Sequence, residues 1–375
     1  MPSFMPTFMQ RVNVVDLKPK EEIESVFLVK FISLNEAKDG KKFLNIILSD
    51  STGDIEARVW TDAETLAKEV DKGKFVKVRG KANMYMGKKQ FIVAGCELFP
   101  EAQIDKGDFI VKAKADPDQM FQDLKKIVEQ LEDVYIKRLL LNVLEDKEIE
   151  RRLKIWQAGK SIHHAYQAGL LEHILSCSKL SVQLSAHYNV NVSYVVAGAI
   201  LHDLCKVYEL TDGMNVEYTE EGKLVGHLVK GVELVDKYSY RIKDFPYHTK
   251  LHLKHILLSH HGYYEYGSPK LPQTSEAMLL HLIDHMDSKM HAFETIKRTD
   301  QNTGRWSGFV KHLDRIVYKD ELPFYPEFIE GQESETARPN NSGPKKKSPQ
   351  GKRKYQEKEV KQNLGNLLKD FKVDK

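Results

Sequence analysis

All fifteen histidines of this 375-residue chain fall between His163 and His312, and the first 162 residues contain none. That gap divides the chain into two chemically different parts and confines any imidazole chemistry to the second. The length agrees, since at about 100–200 residues per domain it makes two or three domains with room for a real core. Hydrophobic residues are 41% and charged residues 30%, the balance of a globular chain. No run approaches the roughly 20 apolar residues of a membrane span, so no membrane partner is expected. The opening MPSFMPTFMQ has two prolines and no basic n-region, and does not read as a signal peptide. Cys96, Cys177 and Cys205 lie far apart and form no CxxC. That argues against a disulfide framework or a thiolate zinc site, and points to a reducing cytoplasm.

The net charge of +3 hides an asymmetry. From Arg338 onward there are 12 basic and 4 acidic residues, which gives that segment +8 and leaves −5 for the rest. A mildly acidic body with a basic tail suits a polyanionic partner.

The first part reads as β-structure. IESVFLVKFISL is rich in β-branched and aromatic residues, and FLNIILSD runs into a Ser-Thr-Gly-Asp turn. IEARVW alternates Ile55, Ala57 and Val59, as a half-buried strand does. After a short helical stretch, DAETLAKEV, the segment FVKVRGKA sets Val76, Val78 and Ala82 on one side and Lys77, Arg79 and Lys81 on the other. A turn then leads to FIVAGCELF. Five strands, with a helix between the third and fourth, predict a small closed barrel of the OB type. Its outward row Lys77, Arg79 and Lys81 could track phosphates. Trp60, Tyr85, Phe43 and Phe91 are candidates for base stacking, the alternative for each being barrel core.

The second part carries apolar helices that end in imidazoles and carboxylates. AYQAGLLEHILSCSKLSVQLSAHY places His173 beside an apolar stripe, and SYVVAGAILHDLCKVYEL ends with His202 and Asp203 together, Lys206 following a turn later. Burying such a pair is expensive unless a partner satisfies both, and a divalent metal does so. GHLVKGVEL adds His227, HLKHILLSHHG adds His260 and His261, and MLLHLIDHMDSKM carries His281, Asp284, His285 and Asp287. Helices that each deliver a ligand are a way to build a metal site in a bundle core. A set of imidazole and carboxylate without thiolate suits Mn2+, Fe2+, Co2+ or Zn2+ better than Ca2+.

The order His173, His202-Asp203, His227, His260-His261, Asp284 resembles the HD phosphohydrolase superfamily in its two-metal form, with HDLCK, GHLVKG and SHHG as matching motifs. An OB-like barrel joined to such a domain through HHAYQAGLLEHIL is similar to the YhaM-type 3′→5′ exoribonucleases, from about residue 20 to about residue 318. The resemblance implies a multidomain fold of α and β, a five-stranded OB-type barrel followed by an all-α HD bundle. It implies a two-ion phosphodiesterase, Mn2+ first, with Co2+, Fe2+, Zn2+ or Mg2+ as alternatives. One ion would take His173, His202, Asp203 and Asp284, and the other His227, His260 and His261 with Asp203 bridging. Asp287 lies one turn from Asp284, and the superfamily pattern favours Asp284. As catalytic groups Asp203 would serve both ions and Lys206 would offset charge on the transferring phosphoryl group. His163 and His164, ahead of the first helix, are candidates for substrate contact, with a cap or surface role as the alternative. His187, His248, His252, His255, His281, His285, His291 and His312 read as solvated or structural, and Cys205 as a small buried hydrophobe.

The expected organisation is a leader over 1–12, the barrel over 13–103, a helical connector over 104–158, the HD domain over 159–318 and a basic tail over 319–375. The tail's Pro, Gly, Ser and Lys composition reads as disordered, able to add sequence-independent affinity for RNA. Its last segment carries a helical stripe of Val360, Leu364, Leu367, Leu368 and Phe371, for docking on the body, a second copy of the chain in a homo-oligomer, or a partner. The functional expectation is a metal-dependent 3′→5′ exonuclease on single-stranded RNA, with DNA as an alternative substrate, releasing nucleoside 5′-monophosphates. Its rivals are an HD phosphodiesterase or nucleotidase for a small nucleotide, and a non-catalytic single-strand-binding protein.

Overall fold

The computed structural model describes residues 11–85, 88–159, 164–213, 216–300 and 302–323. The calls on His163 and on the tail's terminal stripe therefore lie outside the described residues. Alternation builds the first part. Strands β1 (Glu22–Glu36), β2 (Lys42–Asp50), β3 (Gly53–Val59), β4 (Phe75–Tyr85) and β5 (Lys88–Phe99) close a barrel in the order β1-β2-β3-β5-β4. All pairs are antiparallel except β3 with β5. Helix α1 (Ala63–Glu69) lies between β3 and β4. Ile55, Ala57, Val59, Val76, Val78 and Ala82 all face the barrel core, as their period of two requires. Phe91 is also there, fully buried, and is thus core and not a stacking platform.

Three short helices follow, each started by an aspartate whose carboxylate accepts backbone N–H groups: α2 (Pro117–Glu129) by Asp116, α3 (Val134–Leu144) by Asp133 and α4 (Lys147–Leu153) by Asp146. They are not a separate connector. Phe121, Leu124, Leu139 and Leu140 share one core with Leu170, Ile174, Val196 and Ile200 of the histidine-bearing helices. Removing the Phe121 side chain would cost about 3–5 kcal/mol of stability.

The rest of the bundle is α5 (Gly169–Tyr188), α6 (Val192–Leu201), α7 (Lys206–Glu209), α8 (Glu220–Leu224), α9 (Gly226–Ser239), α10 (Tyr247–Ser259) and α11 (Ser275–Thr299). No helix among the described residues is long and apolar enough to cross a membrane. Barrel and bundle belong to one compact unit ending at Glu321. Phe109, just past the barrel, meets Phe75 edge-on at 4.8 Å, and Lys72 reaches Glu217 at 2.8 Å.

Candidate metal centre

Four helix ends and one helix middle converge on Asp203. Helix α5 starts at Gly169, so His173 sits one turn in, fully buried. The apolar α6 stops at Leu201, leaving His202 and Asp203 buried beyond its end. His227 comes from the first turn of α9, and His260 and His261 follow α10. Asp284 lies in the middle of α11. The turn after the histidine pair needs Gly262: its φ is +81°, and a Cβ there would sit 2.1 Å from the His281 ring.

The two oxygens of Asp203 divide the cluster. Oδ2 faces His173 Nε2 at 3.7 Å and His202 Nε2 at 3.6 Å, whereas Oδ1 faces His227 Nε2 at 3.6 Å and His260 Nε2 at 3.8 Å. Asp284 Oδ1 completes the first side, 3.3 Å from His173 Nε2 and 3.8 Å from His202 Nε2. His173, His202 and Asp284 form one group whose ligand atoms lie within 4.8 Å of one another, and His227, His260 and His261 form a second. Asp287 takes a different position. It accepts from His173 Nδ1 at 2.8 Å and so lies behind that imidazole, which separates it from Asp284.

Each imidazole is held by its outer nitrogen. His202 Nδ1 donates to Ala199 O at 3.0 Å, His260 Nδ1 to Leu257 O at 2.8 Å and His261 Nδ1 to Tyr266 O at 2.9 Å. His227 Nδ1 meets the Glu209 carboxylate at 2.9 Å. Fixing Nδ1 as the donor leaves Nε2 as the acceptor that points inward, the arrangement that orients metal-binding histidines. The buried Nε2 atoms of His227 and His260 have no hydrogen-bond partner among the described residues. A pair of buried nitrogens is expensive to leave so, and a cation is the partner that satisfies lone pairs.

Charge supports the same reading. Burial depresses the pKa of His202, His260 and His261, which keeps them neutral, the form that ligates metal. Burial opposes charge on His173 too, but its contacts with Cys177, Asp284 and Asp287 outweigh that and raise its pKa well above the ordinary value. Burial would neutralise Asp203, yet Lys206 and then His202 and His227 hold its carboxyl well below the usual range. Asp284 is likewise lowered, against burial, by His173 and His202. The expected phosphoryl contact of Lys206 is not what the structure places there. Its ammonium lies 2.6 Å from Asp203 Oδ2, with the side chain only 14% exposed, so it acts on the carboxylate. Burial pushes the Cys205 thiol up to about 12, in keeping with an inert hydrophobe.

A cavity of about 390 Å3 opens beside the cluster, lined by His260, His261 and Asp284 and also by His285, Lys289 and His312. His285, which the sequence sets one residue after Asp284, and His312, from a loop, both read there as solvated or structural, yet both line the cavity. His164 is not at the mouth. It is 4% exposed, its ring nitrogens face Glu172 at 3.3 Å and Asp287 at 3.2 Å, and it lines a separate cavity with Lys112, Lys114 and Arg298.

On the barrel the expected basic row is largely neutralised. Register sets Glu22 opposite Lys81 and Glu24 opposite Arg79; Lys81 reaches Glu22 at 3.5 Å and Lys77 reaches Glu24 diagonally at 2.7 Å. Arg79 makes no ion pair among the described residues and is exposed. Trp60, 43% exposed, leans on Phe43 with centroids 4.7 Å apart, and the Arg58 guanidinium lies 4.9 Å from the Phe43 ring. Tyr85 is exposed at the end of β4. Arg58 and Asn45, opposite each other across β3 and β2, carry buried polar atoms with no hydrogen-bond partner among the described residues. Sequence reasoning passed over both, since a single polar residue on a strand's outer face carries no pattern.

Comparison with known proteins agrees with these two halves. A family model described as OB-fold nucleic acid binding domain matches residues 26–99, and one described as HD domain matches residues 170–289. Among solved structures, the second OB-fold domain of replication protein A from Methanococcus maripaludis is 21% identical with a TM-score of 0.21, covering 25% of this chain and 99% of its own. A mitochondrial single-stranded DNA binding protein from S. cerevisiae is 14% identical with a TM-score of 0.19, covering 21% and 93%. The 3′-5′ exoribonuclease YhaM of Oceanobacillus iheyensis is 34% identical over 323 residues, 83% of this chain and 96% of that protein. With that identity over nearly the whole of the relative, and with both of its halves matched in order, the chain belongs to the YhaM family of 3′-5′ exoribonucleases.

Proposed function

We propose that this chain is a metal-dependent exonuclease that shortens single-stranded RNA from the 3′ end and releases nucleoside 5′-monophosphates. The observation that carries the reading is Asp203: one carboxylate divides its oxygens between two groups of imidazoles, and two of those imidazoles hold orphaned Nε2 atoms. His173, His202, Asp203 and Asp284 would hold one divalent ion, and His227, His260, His261 and Asp203 the other. Manganese fits this nitrogen and oxygen set, with neighbouring transition metals as competitors. When bound, such a pair supplies Lewis acidity at the phosphoryl oxygens and lowers the pKa of the attacking water.

The chain's own groups do the rest. Lys206 keeps Asp203 ionised, and the carbonyl and carboxylate acceptors behind each Nδ1 fix the imidazoles before substrate arrives. The cavity beside Asp284 gives the terminal nucleotide a place, with Lys289 near its mouth to meet phosphate. Water attacks the last bridging phosphorus in line, the bond to the preceding O3′ breaks, that oxygen takes a proton, and the end leaves with a 5′-phosphate. The barrel's Trp60, Phe43 and Arg58 surface would hold the strand behind the reacting end.

The test uses oligoribonucleotides labelled at either end, with Mn2+ and after chelation. A 5′-labelled strand should give a ladder of shortened products, and a 3′-labelled strand should release labelled mononucleotide at once. Internal cuts, or activity unchanged in excess chelator, would sink the proposal.

A further inference from the structure

Four of the five inward-facing imidazoles are held by a backbone carbonyl or by a single carboxylate, and His173 is different. Its acceptor, Asp287, is itself gripped from behind. Asp287 Oδ2 receives His173 Nδ1 at 2.8 Å and faces His164 Nε2 at 3.2 Å, while Oδ1 accepts from Ser176 Oγ. His164 is fixed in turn. Its Nδ1 lies 2.9 Å from Tyr166 Oη and 3.3 Å from Glu172, its backbone N–H donates to His291 Nδ1 at 3.3 Å, and its ring stacks on His291 at 3.8 Å.

The backbone is arranged for this placement. His164 has φ +45°, the left-handed region that a β-carbon disfavours, and the chain turns so tightly that a Cβ at Gly169 would sit 2.1 Å from His164 O. A left-handed histidine with a buried ring persists only where its surroundings hold it there. His164, His173 and Asp287 also bring ligand atoms within 4.8 Å of one another. A third ion is not the reading, because His173 Nδ1 already donates to Asp287 and each ring nitrogen of His164 faces an oxygen.

We infer that His164 is a positioning residue for the His173 imidazole, acting through Asp287, and that it sets the affinity of the ion on the His173 side of Asp203 without contacting that ion. The inference rests on the proposed reading of His173 as a ligand. Outer partners of this kind change metal affinity by about 10–100-fold when lost.

The experiment compares His164→Asn and His164→Gln in the full chain. Asparagine tolerates a left-handed backbone and can still serve Glu172, but it is too short to reach Asp287; glutamine extends its amide to where Nε2 stands. Mn2+ is titrated into metal-free protein by calorimetry, and bound metal is counted after gel filtration. The wild-type chain should retain two ions. His164→Asn should weaken one of them by about 10–100-fold and leave the other unchanged. His164→Gln should restore most of that loss. Activity of His164→Asn should return as Mn2+ is raised, which a merely unfolded variant would not show. Two unchanged ions in His164→Asn, or equal loss of both, would overturn the inference. A wild-type chain that binds no divalent ion would overturn it together with the metal reading, whereas wild-type binding with an indifferent His164→Asn overturns the inference alone.

Discussion

Barrel and bundle each leave a neighbouring pair of buried polar atoms unpartnered, and the two pairs are of opposite kinds. In the barrel they are Asn45 Oδ1 and Arg58 Nε, an acceptor and a donor set opposite each other in the ladder. In the bundle they are His227 Nε2 and His260 Nε2, two acceptors on rings 5.8 Å apart. The Arg58 guanidinium lies over the Phe43 ring, which meets Trp60, so this polar pair adjoins an aromatic surface. Two lone pairs aimed together at a carboxylate match a cation. Each unmade hydrogen bond costs about 1–3 kcal/mol, so both places are weak points of the folded state that a ligand would relieve. The difference is one of chemistry: the barrel pair mixes a donor with an acceptor under an aromatic surface, whereas the bundle pair offers lone pairs alone.

The strongest way to break this comparison is to remove the carboxylate that both imidazole groups share. Asp203→Asn keeps the shape and loses the charge. The expected outcome is a fall in kcat of about 10^2–10^3-fold, the scale on which a lost electrostatic partner of the transition state acts. Single-strand affinity, measured by gel shift on the same preparation, should stay within about twofold, because the barrel is untouched. Near wild-type turnover would mean that Asp203 does not serve both sides.

Replacing Trp60 by alanine tests the other half. Stacking on an aromatic contributes about 1–3 kcal/mol per base, so binding of a long strand should weaken by about 5–150-fold. kcat/KM on a dinucleotide, which offers almost no strand behind the reacting end, should not change. Equal losses on short and long substrates would move Trp60 from strand binding to fold.

Much of this was legible in sequence, and what was not has a physical reason. Alternation revealed the barrel because one face is buried, and Ile55, Ala57 and Val59 obey that rule. The histidine and aspartate clusters stood out because charged and imidazole groups at the ends of apolar helices are rare without cause. The braces behind them did not. Glu209 and Glu172 are single carboxylates whose role appears only when helices distant in sequence meet. The same holds for the lysine row: EIESV carries Glu22 and Glu24 on the outward face of β1, but only the register against β4 shows that Glu22 stands opposite Lys81 and Glu24 opposite Arg79, within diagonal reach of Lys77.

A smaller effect separates the two sides of the metal centre. His173 keeps its proton above the ordinary imidazole range in the metal-free chain, while His202, His260 and His261 are already neutral. An ion entering on the His173 side must therefore displace a proton, and protons compete with it as pH falls. Affinity there should drop by about tenfold per pH unit below the His173 pKa, with one proton released per ion. Calorimetry in buffers of different ionisation enthalpy counts that proton. Release of none would place the proton elsewhere.

The smallest expected effect is the one that basic composition alone would have made large. A lysine that neutralises a phosphate contributes about 0.7 to the slope of log affinity against log salt for a single strand. Lys77 and Lys81, if both tracked the strand, would remove about 1.4 from that slope when replaced by alanine. In the structure, however, Lys77 lies 2.7 Å from Glu24 and 3.6 Å from Glu97, and Lys81 lies 3.5 Å from Glu22. Contact with phosphate would free the glutamates to repel the same strand, so the exchange gains little. The double variant Lys77→Ala with Lys81→Ala should keep its affinity within about twofold and its salt slope within about half a unit. Arg79→Ala, whose side chain is exposed on the same face without an ion pair among the described residues, should do more than both lysines together. The measurement is fluorescence anisotropy of a labelled 20-mer at several salt concentrations, about 50 to 300 mM. A slope reduced by more than one unit in the lysine variant would show that the glutamates yield to RNA, and would return the strand's path to the β4 face and away from Trp60.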